Sequence, residues 1–291
     1  MPTLSQVSRL CLKNILVPTD FSPASRTALP FAQSLAQTYG STILLAHAIA
    51  PEPHRQIPTD HIPEEDSMVW DHARAKMAEF ARDGSLTGLC CQMLVERGDV
   101  GDVIPNMIGE HAVDMVVVGT HGRRGVSKLV LGSEAEKIYR SATCPVLIVG
   151  PRAGRPDRWT LRQILCPIEP SESPAPVLQY ALSLAEEHQS RLILLEAMPL
   201  VPWQHRSEME EKSCAALEAL IPEEARNWCN LEYMVRWGHP AESIVNQAET
   251  RGVDLIVMSV HKSRVISSHL PWPVASEVIS QAGCPVLTIR V

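Results

Sequence analysis

Apolar and polar positions follow two periods along this chain. Short stretches that are apolar at nearly every position, among them Cys11–Val17, Thr42–Ile49, Met115–Val118 and Val146–Val149, read as strands buried on both faces of a sheet. Between them apolar residues recur at helical spacing: Ala28, Phe31, Ala32, Leu35 and Ala36 form one stripe, and Ala135, Ile138, Tyr139 and Ala142 another. Ser22 and Pro23 supply an N-cap and a first helical position, and Gly40 a stop, so one helix is expected from there to Tyr39. Ala50–Glu65, rich in Pro and His, reads as a loop and Ser67–Asp83 as a helix. Cys91–Glu96 reads as a strand, Gly98–Gly101 as a turn and Val103–His111 as a helix. This β-α-β-α-β-α-β-α-β order implies a doubly wound parallel sheet of α/β class with right-handed crossovers. A ligand then belongs beyond the carboxyl ends of the strands, where the strand order switches.

The pattern then runs a second time. ILVPTD is echoed by Ile164–Glu169, TILLAHAIAP by Arg191–Pro199, VERGDVGDVI by Val235–Ile244, HAVDMVVVGTH by Arg251–His261 and TCPVLIV by Gly283–Ile289. Whole-domain duplication explains this better than a solenoid period. Gly150–Arg158, rich in Pro, Gly and Arg, reads as the linker. The expected domains are 1–150 and 151–291. Their last strands, CPVLIVG and CPVLTIRV, carry little charge to blunt an open edge, so the halves are expected to pair through them as an intrachain pseudo-dimer. A further homodimer is left open.

Composition narrows the classes. The 291 residues suffice for two domains, and the net charge of -7 speaks against nonspecific nucleic-acid binding. No apolar run approaches the roughly 18 residues of a membrane span, and the first residues lack an apolar signal-peptide core, so a cytoplasmic protein with no membrane partner is expected. The eight cysteines are scattered, mostly inside apolar runs, and include no CxxC pair; buried reduced thiols are expected. A redox role for Cys90 and Cys91 is disfavoured because strand neighbours point to opposite faces.

One stretch carries the chemistry. From Asp114 to Pro145 a strand ends in Gly119, Gly122 follows, and Gly132 and Ser133 open a helix, a spacing of G-x2-G-x9-G-S. Helix-start N–H groups and the helix dipole suit an anion, and glycine lets backbone approach a phosphate closely. Arg123, Arg124 and Lys128 lie in the same loop and are equally readable as phosphate contacts or as surface charge. The spacing is neither a P-loop nor the dinucleotide fingerprint.

At these residues the chain resembles the universal stress protein family, in its tandem form. LVPTDFSPAS near the start and CPVLIVG at the end of the first half extend the resemblance. The resemblance implies Rossmann-like five-stranded sheets of order 3-2-1-4-5 and ATP, with Mg2+, as the bound nucleotide. It places Pro18, Thr19 and Asp20 beside ribose and adenine, with Asp20 accepting from a ribose hydroxyl, and Ala48 facing the adenine. Gly119, Thr120 and Gly122 border ribose and phosphates, while Gly132, Ser133 and Glu134 hold the outer phosphates. Without a ligand, the glycines would merely shape a loop and Ser133 cap a helix.

The second half departs at every one of these points. Ser259 stands for Gly119, Lys262 for Gly122, Trp272 for Gly132, Pro273 for Ser133 and Glu169 for Asp20. One competent site per chain is therefore expected, in the first half. Other residues carry less: His121 is a phosphate contact or a structural hydrogen-bonder. His54, His61 and His72 with Asp60 and Glu64 match no zinc spacing, and Met68, Met77 and Trp70 suggest packing. Three functions remain: a stress-response protein whose ATP occupancy sets a signalling or protective state, a slow ATP-hydrolysing or adenylyl-transferring enzyme, and a nucleotide-free scaffold. No paired carboxylates or Ser/His/Asp arrangement accompanies the loop, so no catalytic residue is assigned.

Overall fold

In a computed structural model the structure describes residues 9–51, 63–84, 86, 88–120, 133–154, 158–169, 174–260 and 273–290, with residues 63–66, 133 and 273 described by their backbone alone. The first half runs β1 (Asn14–Pro18), α1 (Pro23–Arg26), α2 (Leu29–Tyr39), β2 (Thr42–Ile49), α3 (Pro63–Asp83), β3 (Cys91–Arg97), α4 (Val100–Glu110), β4 (Met115–Gly119), α5 (Ser133–Ser141) and β5 (Val146–Val149). The second runs β6 (Gln163–Pro167), α6 (Ala175–His188), β7 (Arg191–Met198), α7 (Arg206–Ala219), α8 (Glu223–Trp228), β8 (Asn230–Trp237), α9 (Pro240–Arg251), β9 (Leu255–Val260), α10 (Pro273–Gln281) and β10 (Val286–Arg290).

All strands join one ten-stranded sheet, ordered β3-β2-β1-β4-β5-β10-β9-β6-β7-β8. Each half has the order 3-2-1-4-5 with parallel neighbours, as expected. The halves meet where β5 and β10 pair antiparallel, Leu147 opposite Leu287, with Thr288 Oγ1 donating to the Val146 carbonyl at 3.0 Å. Apolar edges with little charge have paired with each other. Gly150 passes so close to α10 that a Cβ there would lie 2.3 Å from the Ile279 carbonyl oxygen. Two apolar layers cover the sheet, each continuous across both halves. One packs α2, α3 and α6 (Phe31, Met77, Phe80, Leu178, Leu182), the other α4, α5, α9 and α10 (Ile104, Ile138, Ile244, Val278).

Several boundaries differ from the sequence reading. The helix expected from Pro23 to Tyr39 is broken between α1 and α2. Pro30 cannot donate to the Arg26 carbonyl and crowds it, and the Thr27 hydroxyl donates to the Ala24 carbonyl at 2.7 Å, closing the first turn separately. In α6 the proline, Pro176, lies in the first turn and the helix continues unbroken. Ser22 does cap α1, accepting from Ser25 N, and Gly40 ends α2 at φ +68°. Helix α4 begins at Val100 rather than Val103, because Asp99 accepts from Gly101 N as its cap. Helix α3 begins at Pro63, inside the expected loop. Strand β1 is shorter at its start than Cys11–Val17, and Cys11 is exposed rather than buried. All eight cysteines are unbridged; Cys166, Cys229 and Cys284 are buried. Met77 is core, whereas Met68 is 71% exposed. No described helix is long and apolar enough to cross a membrane.

Candidate functional site

A half-open cleft with about 80 Å³ of enclosed space lies at the carboxyl ends of β1, β2 and β4. This is where the order of the first half reverses, β1 standing between β2 and β4. Six predicted residues come together around it: Pro18, Thr19, Asp20, Ala48, Gly119 and Glu134.

The β1–α1 turn is held tightly. Thr19 is buried; its N–H donates to the Ala46 carbonyl at 2.8 Å and its Oγ1 lies 3.0 Å from Ser25 Oγ. Phe21 N donates to Thr19 Oγ1 at 3.0 Å while Phe21 sits at φ +64°, a left-handed conformation rare for a bulky residue. His47 Nδ1 lies 2.8 Å from the Thr19 carbonyl oxygen, and its ring packs on Phe21 with centroids 4.4 Å apart. Because that carbonyl only accepts, Nδ1 carries the proton. Phe21 in turn meets Phe80 of α3 edge-on, so the turn is anchored to that helix. Asp20 is exposed, and its Oδ1 accepts from Ser22 N at 2.9 Å, which orients the carboxylate at the cleft rim.

Gly119 serves two purposes. A Cβ there would lie 2.1 Å from the Ala24 carbonyl oxygen and 2.9 Å from Thr27 Oγ1, so α1 can approach β4 only if residue 119 lacks a side chain. Gly119 also lines the cleft. The next residue, Thr120, does not line the cleft: it is buried, and both its N–H and its Oγ1 donate to the Val149 carbonyl at 3.0 and 3.2 Å. Gly122 and Gly132 lie outside the described residues, as do His121, Arg123, Arg124, Lys128, Lys262 and Trp272. Ser133 is the first residue of α5.

Two helix starts face the cleft, α4 through Val100 and Ile104, α5 through Glu134, Ala135 and Ile138. They are tied together by Lys137 Nζ, 2.8 Å from Asp99 Oδ2 and 3.5 Å from Glu134 Oε1. The Lys137 hydrogen bond, with the Gly101 N–H, holds the Asp99 carboxyl below the usual range, and Asp99 holds the Lys137 ammonium above its own. Lys137 thereby offsets two carboxylates beside a helix start whose dipole favours negative charge. Among the described residues no group of three or more His, Cys, Asp or Glu could hold a metal; His54, Asp60 and His61 lie outside them, and Glu64 is described by its backbone alone.

The walls that sequence reasoning missed include Ser25, Ala46, His47, Val100, Ile104 and Ile138. Ala135 and Ile138 belong to the helical stripe that the sequence marks only as core. His47 had one available signal, a polar residue inside the otherwise apolar run of β2.

The matching positions of the second half are mostly larger: Ile168 for Thr19, Leu195 for Ala46, Met258 for Val118 and Ser259 for Gly119. Ile168, Leu195 and Met258 are all buried. Glu196 replaces His47 and accepts a hydrogen bond from the Ser213 hydroxyl of α7. Helix α10 starts at Pro273, which removes one N–H from the end corresponding to α5.

A family model described as the universal stress protein family matches this chain twice, over residues 12–150 and 160–290. A universal stress protein of Thermus aquaticus is 32% identical over 142 residues, covering 47% of this chain and 98% of its own length. One of Synechocystis is 22% identical over 303 residues, 96% of this chain and 100% of its own. The crystal structure of a universal stress protein from Archaeoglobus fulgidus shares the fold, with a TM-score of 0.70 at 16% identity, covering 95% of this chain and 98% of that one.

Proposed function

The chain belongs to the universal stress protein family, and on that premise we propose that it binds ATP, with Mg2+, in its first domain, residues 1–150, and acts as a cytosolic nucleotide-dependent signalling or protective module. The second domain, residues 151–291, carries a filled copy of the site. The observation that carries this reading is the convergence of Pro18, Thr19, Asp20, Ala48, Gly119 and Glu134 on one cleft at the strand switch, beside the α5 start.

Ala48 borders the adenine and Asp20 accepts from a ribose hydroxyl. Gly119 and Gly122 let backbone approach ribose and phosphates, and the N–H groups of Gly132, Ser133 and Glu134 hold the outer phosphates. Thr120 contributes by pinning the strand end to Val149 rather than by contact. Without a metal cluster among the described residues, Mg2+ fits here as an ion that arrives on the triphosphate and keeps its waters. The chain's own work is positioning and charge balance, with Lys137 offsetting Asp99 and Glu134.

The test is mass spectrometry of nucleotide released from freshly purified protein, followed by calorimetry with Mg-ATP on the parent and on Gly132→Trp, which copies Trp272. The variant is expected to lose at least tenfold in affinity, about 1.4 kcal/mol, with the fold kept. Unchanged affinity in a folded variant would place the site elsewhere. Multiple turnovers at about 1 per second or faster would favour an enzyme instead.

A further inference from the structure

A second groove crosses the seam between the halves, near the amino ends of the strands and so far from the cleft. Ser34, Gln37 and Thr38 of α2 form one wall, and His188 at the end of α6 belongs to the other. The floor is the stretch that enters β6, from Arg158 through Trp159 to Arg162. The space amounts to about 420 Å³, enough for a small molecule.

Its frame is rigid. The Trp159 ring packs edge-on against Phe31 at 5.1 Å, and Trp159 Nε1 donates to the Asp254 carbonyl at 3.2 Å. The Trp159 carbonyl accepts from Ser34 Oγ at 2.7 Å. Arg162 is anchored through its backbone N–H, which donates to Asp254 Oδ2 at 2.8 Å, and its side chain is left to the groove.

The charge is unusual. Elsewhere on this half Arg191 and Arg251 share Glu232, and Arg226 meets Glu218. The Arg158 and Arg162 guanidiniums meet no carboxylate among the described residues, in a chain of net charge -7. The nearby carboxylates are already engaged by other donors, Asp254 by the Arg162 and Gln163 N–H groups and Glu187 by Leu10 N and the Tyr39 hydroxyl, which leaves the two guanidiniums to an incoming anion. His188 is held below its ordinary value mainly by burial, so it is poised to gain a proton when an anion lies beside it.

We propose that this groove is a second ligand site, for a small phosphate-bearing molecule with hydroxyl groups, and that its occupant clamps the two halves together. Guanidinium forks match phosphate oxygens two at a time. The Gln37 amide and the Thr38 and Thr160 hydroxyls are suited to the neutral hydroxyls. Because α2 and α6 come from different halves, an occupant bridging them strengthens the seam.

Inorganic pyrophosphate is the probe, in calorimetry and thermal unfolding of the full chain. In the Gly132→Trp background, which removes the phosphate loop of the first cleft, the expected result is one pyrophosphate per chain and a rise in melting temperature. In Arg158→Ala/Arg162→Ala the affinity falls at least tenfold and the rise disappears, while Ala46→Leu, in the other cleft, binds pyrophosphate like the parent. Both guanidiniums are exposed, so the double variant should melt like the parent without ligand; if it does not, Arg162→Gln alone replaces it. No binding at millimolar pyrophosphate overturns the proposal, as does unchanged affinity in the arginine variant or a loss caused by Ala46→Leu.

Discussion

Asp114 accepts from the N–H groups of Lys13 and Asn14 at 2.7 and 2.9 Å; Asp254 accepts from those of Arg162 and Gln163 at 2.8 and 2.9 Å. Ser41 Oγ donates to the Leu12 carbonyl as Ser190 Oγ does to that of Leu161. Asn14 Nδ2 donates to the His111 carbonyl, and Gln163 Nε2 to that of Arg251. At the amino ends of the strands, then, the two halves use the same bonds, with Gln163 even substituting for Asn14. At the carboxyl ends, Thr19, Ala46, His47, Val118 and Gly119 face Ile168, Leu195, Glu196, Met258 and Ser259. The amino-end bonds satisfy strand-start N–H and C=O groups that either copy would otherwise leave unpaired. The carboxyl-end residues surround a space that only a ligand-binding copy needs, and the other copy fills it with apolar side chains.

The largest test of this contrast is ligand-induced stability. A hundredfold excess of Mg-ATP over its dissociation constant should add about 2.7 kcal/mol to the stability of whatever unit binds it. Hydrogen exchange should slow at residues 18–22 and 133–138 and change little at 167–169 and 273–278, with one nucleotide bound per chain. Equal protection in both halves, or two nucleotides, would erase the functional difference between them.

Gly119→Ser copies the second half's residue beneath the Ala24 carbonyl. We expect a loss of about 1–3 kcal/mol in urea unfolding, as for overpacked sites. The reverse exchange, Ser259→Gly, should cost less than about 1 kcal/mol, the usual effect of glycine in a strand. Similar costs for both would mean that α1 yields easily and that Gly119 is not required by packing.

Ala46→Leu fills the cleft as Leu195 fills its counterpart. ATP affinity should fall about tenfold, 1.4 kcal/mol, while stability changes by less than about 1 kcal/mol, because the added methyls enter existing space. A variant that binds ATP normally would show that the ligand lies away from β2.

The smallest effect concerns the seam. Burial holds His188 below its ordinary value of roughly 6.5, and neighbouring Glu187 pulls the other way. The unfolded chain therefore takes up this proton before the folded chain does as pH falls. Stability is full above about pH 6.5 and declines below it, towards the folded value. Tyr39, whose hydroxyl donates to Glu187 Oε2 at 2.5 Å, faces the same imidazole along with Arg158 and Arg162. His188→Gln should flatten the stability profile between about pH 5 and 7; an unchanged slope would show that the imidazole does not sense the seam.

Strand identity and element order were legible because a strand buried on both faces is apolar throughout, whatever it packs against. The caps Ser22 and Gly40 were legible because capping is local. The break at Thr27 was missed although its cause, Pro30, stood in the sequence; helical periodicity continues across it. The start of α4 was missed because Asp99 beside two glycines resembles a turn. Cleft walls such as Val100, Ile104 and Ile138 were hidden among core residues, since apolar periodicity marks the inward face without saying whether it meets another side chain or a gap.

The sequence alone determined the duplicated α/β architecture, the pairing of the two last strands, which carry little charge, and the loss of glycines from the second half. These follow from periodicity, edge chemistry and residue type, which act over a few positions. Tertiary structure alone decided that Gly119 must lack a side chain because α1 lies against it. It likewise decided that Thr120 turns into the sheet, and that two arginines with no carboxylate partner among the described residues face a groove between halves. Each of those depends on atoms far apart in the chain brought within a few ångströms, a distance that no local pattern encodes.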